Sequence, residues 1–345
     1  MVDVWLDSVT PKDSLLIYLL LPLLREKGYK TLVTAKKQTQ TTEILELLNI
    51  EYTCVGEYGE TLKEKLAAEQ KRTLQFIDFF DKIGLPKVLW THGDVSAIRT
   101  AFGLQIPIVY ANDTPHAIHV AKLVCPLVDW LVAPVSFGKT WSKFGIPKSK
   151  IVLYDGIEEV AWLSRKLESK YPPFLEKMDK KSRVVLFRNA EYKASYCKNV
   201  KVDAFQLVKE ISKIATVVYL PRYAEEKEKI GLNNVVIPPK TALAFQLIPY
   251  VDAVVGSGGT MCREAALMGV PTINFHFWDA PARYLHKKGF PIKYVTTTDK
   301  IISVTQKILK NPEKHRMDTR QMLKKLESPV PITVNYIENC QGKRI

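Results

Sequence analysis

The sequence predicts an α/β protein made of two doubly wound parallel-sheet domains. Three observations carry that expectation. The chain has 345 residues, and at ~150 residues per domain this length suits two domains. Short β-branched runs alternate with amphipathic stretches, the pattern of parallel sheets with helices on both faces. A second series of strands opens near Val184, after a charged stretch from Ser164 to Ser182 that contains Pro172-Pro173 and reads as a linker.

The first series predicts strands at Val2–Leu6, Thr31–Thr34, Tyr52–Val55, Val88–Trp90, Ile108–Tyr110, Trp130–Ala133 and Ile151–Leu153. Helices fill the gaps at Ser14–Lys27, Thr41–Leu48, Leu62–Lys82 and Val95–Phe102, with Gly28 and Gly103 where helix-ending glycines belong. The second series predicts strands at Val184–Phe187, Thr216–Leu220, Val235–Ile237, Ala253–Val255 and Thr272–Phe275. The expected bounds are a first domain over 1–160, a linker over 161–182 and a second domain over 183–330. A terminal segment, 331–345, holds a helical stretch at Ile332–Asn339 suited to packing back on the first domain. Doubly wound sheets bind ligands beyond the carboxyl ends of their strands, so the site is expected in a cleft between two facing domains.

Composition narrows the class. With 46% hydrophobic and 25% charged residues, the chain is neither disordered, collagen-like nor a disulfide-stapled miniprotein. Its 50 basic and 36 acidic residues leave +14. Residues 1–155 hold 18 basic and 17 acidic residues, and 156–345 hold 32 and 19, so the excess belongs to the second half. That suits an anionic ligand or surface, or a lysine-rich solvated surface. Five scattered cysteines without a CxxC pair argue against a disulfide framework or a structural zinc, and for a reducing compartment. Asp3 and Asp7 stand where a secretory leader needs basic residues, so a cytoplasmic location is expected. The apolar run Leu15–Leu24 is about half the ~20 residues that span a bilayer. It reads as a core helix, with a membrane-facing role as the alternative.

The sharpest motif is Val254-Val255-Gly256-Ser257-Gly258-Gly259-Thr260, running on through Glu264 to Gly269. A strand enters a glycine-rich turn and then a helix, whose free amides and dipole favour a phosphate. Ser257 and Thr260 add hydroxyls, and Glu264, one turn beyond Thr260, can accept from ribose hydroxyls. A nucleoside diphosphate site is the reading; a plain strand–helix turn is the alternative. Met261 stands where a dinucleotide fingerprint needs a third glycine, and the Gly-Lys-Ser/Thr of a P-loop is absent.

Further candidates share an address at strand ends. Thr91-His92-Gly93-Asp94 offers Asp94 either as a helix cap or as a functional acid. Asn112-Asp113-Thr114-Pro115-His116 sets a carboxylate beside an imidazole that could take a proton from a sugar hydroxyl. Asp7-Ser8 ends the first strand and either faces the site or caps the following helix. In the second domain Arg188, Lys193, Ser195 and Arg222 are candidate diphosphate contacts. No metal site is expected.

These residues carry a resemblance. The chain resembles a family of predicted glycosyltransferases of archaea and some bacteria through Thr91-His92-Gly93-Asp94, Ala111 to Ala117, Lys193-Ala194-Ser195-Tyr196, Ile237-Pro238 and Gly256 to Met261. The resemblance covers nearly the whole chain and implies a GT-B fold with the donor site in the second domain. It extends to MurG-type GlcNAc transferases and UDP-GlcNAc 2-epimerases. The epimerase acid falls one residue nearer the glycines than Glu264, and Arg188-Asn189-Ala190-Glu191 replaces the epimerase His-Arg-Arg-Glu-Asn. Asp7-Ser8-Val9-Thr10-Pro11 replaces the MurG-type glycine loop.

The expected function is metal-independent transfer of a sugar from a nucleotide sugar, UDP-linked by preference, to an acceptor, a lipid-linked one included. Ser257, Gly258, Gly259, Thr260, Glu264, Arg188, Lys193, Ser195 and Arg222 would hold the donor, and His116 with Asp113 and Asp94 would do the chemistry. No cofactor beyond the co-substrate is expected. The rival readings are an epimerase of sugar nucleotides and, last, a binder of anionic polymers; nucleic acid is not an expected partner because no aromatic run accompanies the basic residues.

Overall fold

The structure is a computed structural model that describes residues 2–37, 39–164, 174, 182–190, 202–222, 225–226, 231–238, 242–257, 259–276 and 278–341. Most of the 161–182 stretch, Lys193, Ser195 and Gly258 lie outside the described residues. The chain forms two compact units, Met1–Trp162 with Glu327–Ile345, and Leu163–Leu326.

In the first unit the strands are β1 (Val4–Ser8), β2 (Thr31–Lys37), β3 (Thr53–Glu57), β4 (Val88–Thr91), β5 (Ile108–Ala111), β6 (Trp130–Pro134) and β7 (Ile151–Tyr154). They make one parallel sheet in the order β3-β2-β1-β4-β5-β6-β7. The helices are α1 (Pro11–Glu26), α2 (Thr39–Leu47), α3 (Leu62–Ile83), α4 (Val95–Gly103) and α5 (Ile118–Val124).

Three of these helix starts have a local cause. Thr10 and Asp13 form a capping box on α1, with Pro11 in the first turn. Thr61 and Glu64 do the same for α3. Asp94 caps α4 by accepting from the Ala97 amide at 2.7 Å. The Leu15–Leu24 run is spent on the core: Leu15, Leu16, Ile17, Leu19, Leu20, Leu21 and Leu24 are all buried. No helix among the described residues is long and apolar enough to cross a membrane. On the inner face of α3, Phe76 and Phe80 pack edge-on against Trp5 of β1, with ring centroids 4.7 and 4.8 Å away. The closing helix, Pro329–Gln341, contacts α1, β4, β5 and β6.

In the second unit the strands are β8 (Val184–Arg188), β9 (Thr216–Tyr219), β10 (Val235–Val236), β11 (Ala253–Gly256), β12 (Thr272–Asn274) and β13 (Ile292–Tyr294). They pair in parallel in the order β10-β9-β8-β11-β12-β13. The core stacks Phe187 on Tyr219 and Phe275 at 5.6 and 5.9 Å. The edge strand β13 escapes a sequence reading because it is three residues long and follows Pro291. Strand β1 runs two residues further than its apolar pattern suggests, which puts Asp7 and Ser8 inside the strand. Both sheets reverse direction of growth beside their first strand, between β1 and β4 and between β8 and β11. These are the switch points where doubly wound sheets bind ligands.

Candidate functional site

At the first switch point, β1, β4 and β5 bring polar residues together in two adjoining networks. The first is built on Arg72, which α3 inserts fully buried behind the sheet. Its Nη1 and Nη2 donate to Asp7 at 3.0 and 2.8 Å, and Nη1 lies 2.7 Å from Asp94 Oδ1. Its Nε donates to the Val55 carbonyl at 2.7 Å. Lys36 Nζ reaches Asp94 Oδ2 at 2.9 Å, and Thr34 donates to Asp7. Burial pushes the Asp94 carboxyl up, but Arg72 and Lys36 outweigh it and hold the group well below the usual range. Asp7, wholly buried, is pushed up by that burial despite the shared guanidinium. With the Ala97 amide added, Asp94 is an ionised capping and pairing residue, its two oxygens committed to three donors.

The second network centres on Lys12, in the first turn of α1. Its Nζ donates to Asp113 Oδ1 and to Glu158 Oε2, both at 2.6 Å. Glu158 also lies 2.7 Å from His92 Nε2, and the other ring nitrogen of His92 lies 3.3 Å from Asp13 Oδ1. Asn112 donates to the His92 carbonyl at 2.6 Å, and Thr114 to Asp113 at 2.8 Å. Burial alone would favour a neutral His92 ring, but the Glu158 carboxylate carries its pKa above the ordinary value. Burial and Asp113 push Glu158 up; His92 and Lys12 pull it further down, so it stays ionised. One ligand atom each from His92, Asp113 and Glu158 lie within 4.8 Å of one another, close enough to hold a metal ion. Lys12 already bridges the two carboxylates, so a cation there would have to displace its ammonium group.

His116 stands half-buried on the loop after β5, just before α5. The sequence brings Asp113 and Asp94 to the same end of the sheet, but in different networks. It does not single out Lys12, Asp13, Lys36, Arg72 or Glu158. The one local signal for Glu158 is its position soon after a strand end; Arg72 sits mid-helix, where an Arg reads as a solvated charge.

At the second switch point, Gly256 ends β11 and Ser257 begins the turn into helix Gly259–Leu267. The Ser257 amide donates to the Arg188 carbonyl at 3.1 Å. Its hydroxyl is buried at 3% residue exposure and has no hydrogen-bond partner among the described residues. Arg222 passes beside it, donating to the Asn189 carbonyl at 2.9 Å and the Ser257 carbonyl at 3.4 Å. Arg188 closes β8 next to Gly256. Thr260 is half-buried and Glu264 is buried. The glycines also have a packing reason: a Cβ on Gly259 would stand 2.9 Å from Arg263 Cζ and from Asp279 Oδ2, which form an ion pair at 2.8 Å. Cys262 beneath the turn has its thiol pushed up to about 12 by burial, so it is inert at neutral pH.

Two parallel sheets with matching strand orders and polar switch points define the class: a GT-B protein with two Rossmann-like domains. Within that class, the chain belongs to the family described as Protein of unknown function (DUF354), whose model matches residues 2–341. An uncharacterized protein of Methanocaldococcus jannaschii is 26% identical over 351 residues, which cover 99% of this chain and 93% of that protein. Among solved structures, the chain is similar to the Methanocaldococcus jannaschii UDP-GlcNAc 2-epimerase in complex with UDP-GlcNAc and UDP. The TM-score is 0.65 at 15% identity, covering 98% of this chain and 99% of that one. The glycosyltransferase VinC in complex with dTDP gives a TM-score of 0.59 at 14% identity, covering 99% of this chain and 100% of that one.

Proposed function

We propose that the protein is a glycosyltransferase that takes a sugar from a nucleoside diphosphate, UDP by preference, bound at the glycine turn of the second unit. The observation that carries this reading is the Ser257 hydroxyl, buried at a switch point without a partner among the described residues. A buried hydroxyl left unpaired costs free energy, and a ligand oxygen is the partner it lacks. Arg222 beside it and Arg188 at the end of β8 bring positive charge to the same strand ends. With the Gly259–Leu267 helix dipole they would stabilise the leaving diphosphate, so the transfer needs no metal. Glu264 would accept from the ribose.

In the first unit, both ring nitrogens of His92 already face carboxylates, Glu158 at 2.7 Å and Asp13 at 3.3 Å, so it is not the base that meets the acceptor. His116 takes the acceptor proton, and Lys12 and Thr114 hold Asp113 in place on the same loop.

A specific feature also favours the second reading, an epimerase of sugar nucleotides. Glu158, Asp113 and His92 put acid and base groups within one hydrogen-bonded network, as proton removal and return at a sugar carbon requires. Calorimetry with UDP, GDP and their sugars tests nucleotide binding, and failure of all at millimolar concentration overturns both readings. NMR of UDP-GlcNAc incubated with the protein alone separates them: a new sugar epimer without acceptor identifies the epimerase, and a bound sugar left unchanged counts against it.

A further inference from the structure

Beside the glycine turn of the second unit lies a buried ion pair. Arg263, in the helix Gly259–Leu267, sets its Nη1 2.8 Å from Asp279 Oδ2, and the two side chains are 4% and 6% exposed. Asp279 is committed through its other oxygen too. Its Oδ1 accepts from the Ala282 amide at 2.7 Å and caps the helix Ala280–Lys287. The pair therefore ties the helix that follows β11 to the start of the helix that follows β12. Arg263 stands four residues past Gly259, one helical turn on and on the same face. A Cβ on Gly259 would stand 2.9 Å from Arg263 Cζ and Asp279 Oδ2, and 3.0 Å from Arg263 Nη1. The backbone at Gly259 thus lies flush on the pair. Gly256, where β11 ends, rests in the same way on Met261 and Cys262, whose Cε and Sγ are 2.7 and 3.2 Å from the place of a Cβ.

Stability alone does not account for such a pair. Desolvating two charges offsets most of their attraction, and apolar residues of similar volume often serve a fold as well. What a charge-assisted contact adds is a fixed geometry. The tip of a lone arginine yields to a neighbour, whereas a tip held by a buried carboxylate does not. Here the fixed geometry falls on the first turn of a helix whose free amides suit a phosphate. The same turn carries the Ser257 hydroxyl, buried and without a partner among the described residues. With its charge matched by Asp279 and its side chain buried, Arg263 acts through the backbone it supports.

We infer, on the basis of the nucleotide site proposed above, that Arg263 and Asp279 are positioning residues for the diphosphate: their ion pair fixes the first turn of the Gly259–Leu267 helix in the orientation that presents its amides to the ligand. Calorimetric titration with UDP, beside NMR titration with uridine, tests this. Arg263→Met with Asp279→Asn removes both charges and keeps the side-chain oxygen that caps the helix Ala280–Lys287, so its circular dichroism is expected to match the wild type. It is expected to bind UDP about tenfold more weakly, and to bind uridine, which has no phosphate, as the wild type does. Arg263→Lys, which keeps the charge pair, is expected to bind UDP within about twofold of the wild type. Gly259→Ala probes the same contact from the backbone and does not depend on the double variant folding. It is expected to weaken UDP about tenfold in the wild-type background and less than about threefold in the double variant, where the tips can move aside. A double variant that binds UDP as tightly as the wild type overturns the inference. So does one that loses UDP and uridine alike, because the pair then holds the whole site, and so does a Gly259→Ala chain with undiminished UDP binding or with the same loss in both backgrounds. A wild-type chain that binds no UDP overturns the nucleotide site itself, and that result is read before any variant is made.

Discussion

His92 Nε2 lies 2.7 Å from Glu158 Oε1, joining the end of β4 to the loop that follows β7. The contact raises the His92 pKa in the folded protein above its ordinary 6.5. A raised folded pKa means that the interaction stabilises fully below pH 6.5, and the stabilisation is lost as pH rises through the folded value. Glu158 works the other way: its pKa is lowered, so its contribution is present above its ordinary 4.5 and disappears as the solution becomes more acidic. His92→Gln is therefore expected to cost more stability near pH 6 than near pH 9. Urea unfolding of both proteins at the two pH values checks this, and the comparison cancels the other histidines. A cost that is flat with pH, or that grows toward alkaline pH, would contradict a charged His92.

Lys12 bridges Asp113 and Glu158 and offsets the repulsion between their like charges. Lys12→Ala removes that internal cation and leaves His92, Asp113 and Glu158 with ligand atoms within 4.8 Å of one another. The variant is expected to be less stable without metal and to gain several degrees of melting temperature on adding Mn²⁺ or Zn²⁺, through mass action on the folded state. The wild-type protein is expected to gain little. Equal responses of the two proteins in a thermal melt would show that the ammonium does not stand in for a metal.

Arg72 serves two carboxylates while fully buried, and breaking such a group leaves unpaired buried charge. Arg72→Met is expected to destabilise the first unit by about 3–5 kcal/mol. Adding Asp7→Asn is expected to recover part of this, because one of the two abandoned charges is gone. The local backbone is fitted to the arginine: Gly56 has φ +81°, and a Cβ there would stand 2.6 Å from Arg72 Cγ. Chemical unfolding of the three proteins decides. A double variant no more stable than Arg72→Met would mean that the guanidinium matters through packing alone.

Both sheets were legible because alternation of β-branched runs and amphipathic helices is a local pattern, and strand ends follow from it. So Asp94, Asp113 and Ser257 could be placed at carboxyl ends before any contact was known. What each does there depends on residues far along the chain. Asp94 reads equally as a cap or as a functional acid until Arg72 and Lys36 are found on it. Lys12 and Glu158, 146 residues apart, have no shared sequence pattern, only a shared position once β1 and β7 are joined in one sheet through β4, β5 and β6. Gly259 carries two reasons at once: the turn suits a phosphate, and a Cβ there would crowd the Arg263–Asp279 pair at 2.9 Å, a long-range contact that no local motif shows.

Ser257 permits the sharpest separation of folding from binding. Its hydroxyl has no partner among the described residues, so Ser257→Ala is expected to leave the stability of the unliganded protein unchanged or slightly raised. A hydroxyl that donates to a charged phosphate oxygen contributes roughly 1.5–3 kcal/mol, so the same change is expected to weaken nucleotide binding on the order of ten- to a hundredfold. Arg222→Gln should weaken it too, but with a cost in stability, because Arg222 also ties Asn189 and Ser257 together. Calorimetric titration with UDP beside thermal melts of the free proteins gives both numbers. If Ser257→Ala destabilises the free protein and binds UDP as tightly as before, the hydroxyl is part of the fold and the nucleotide lies elsewhere.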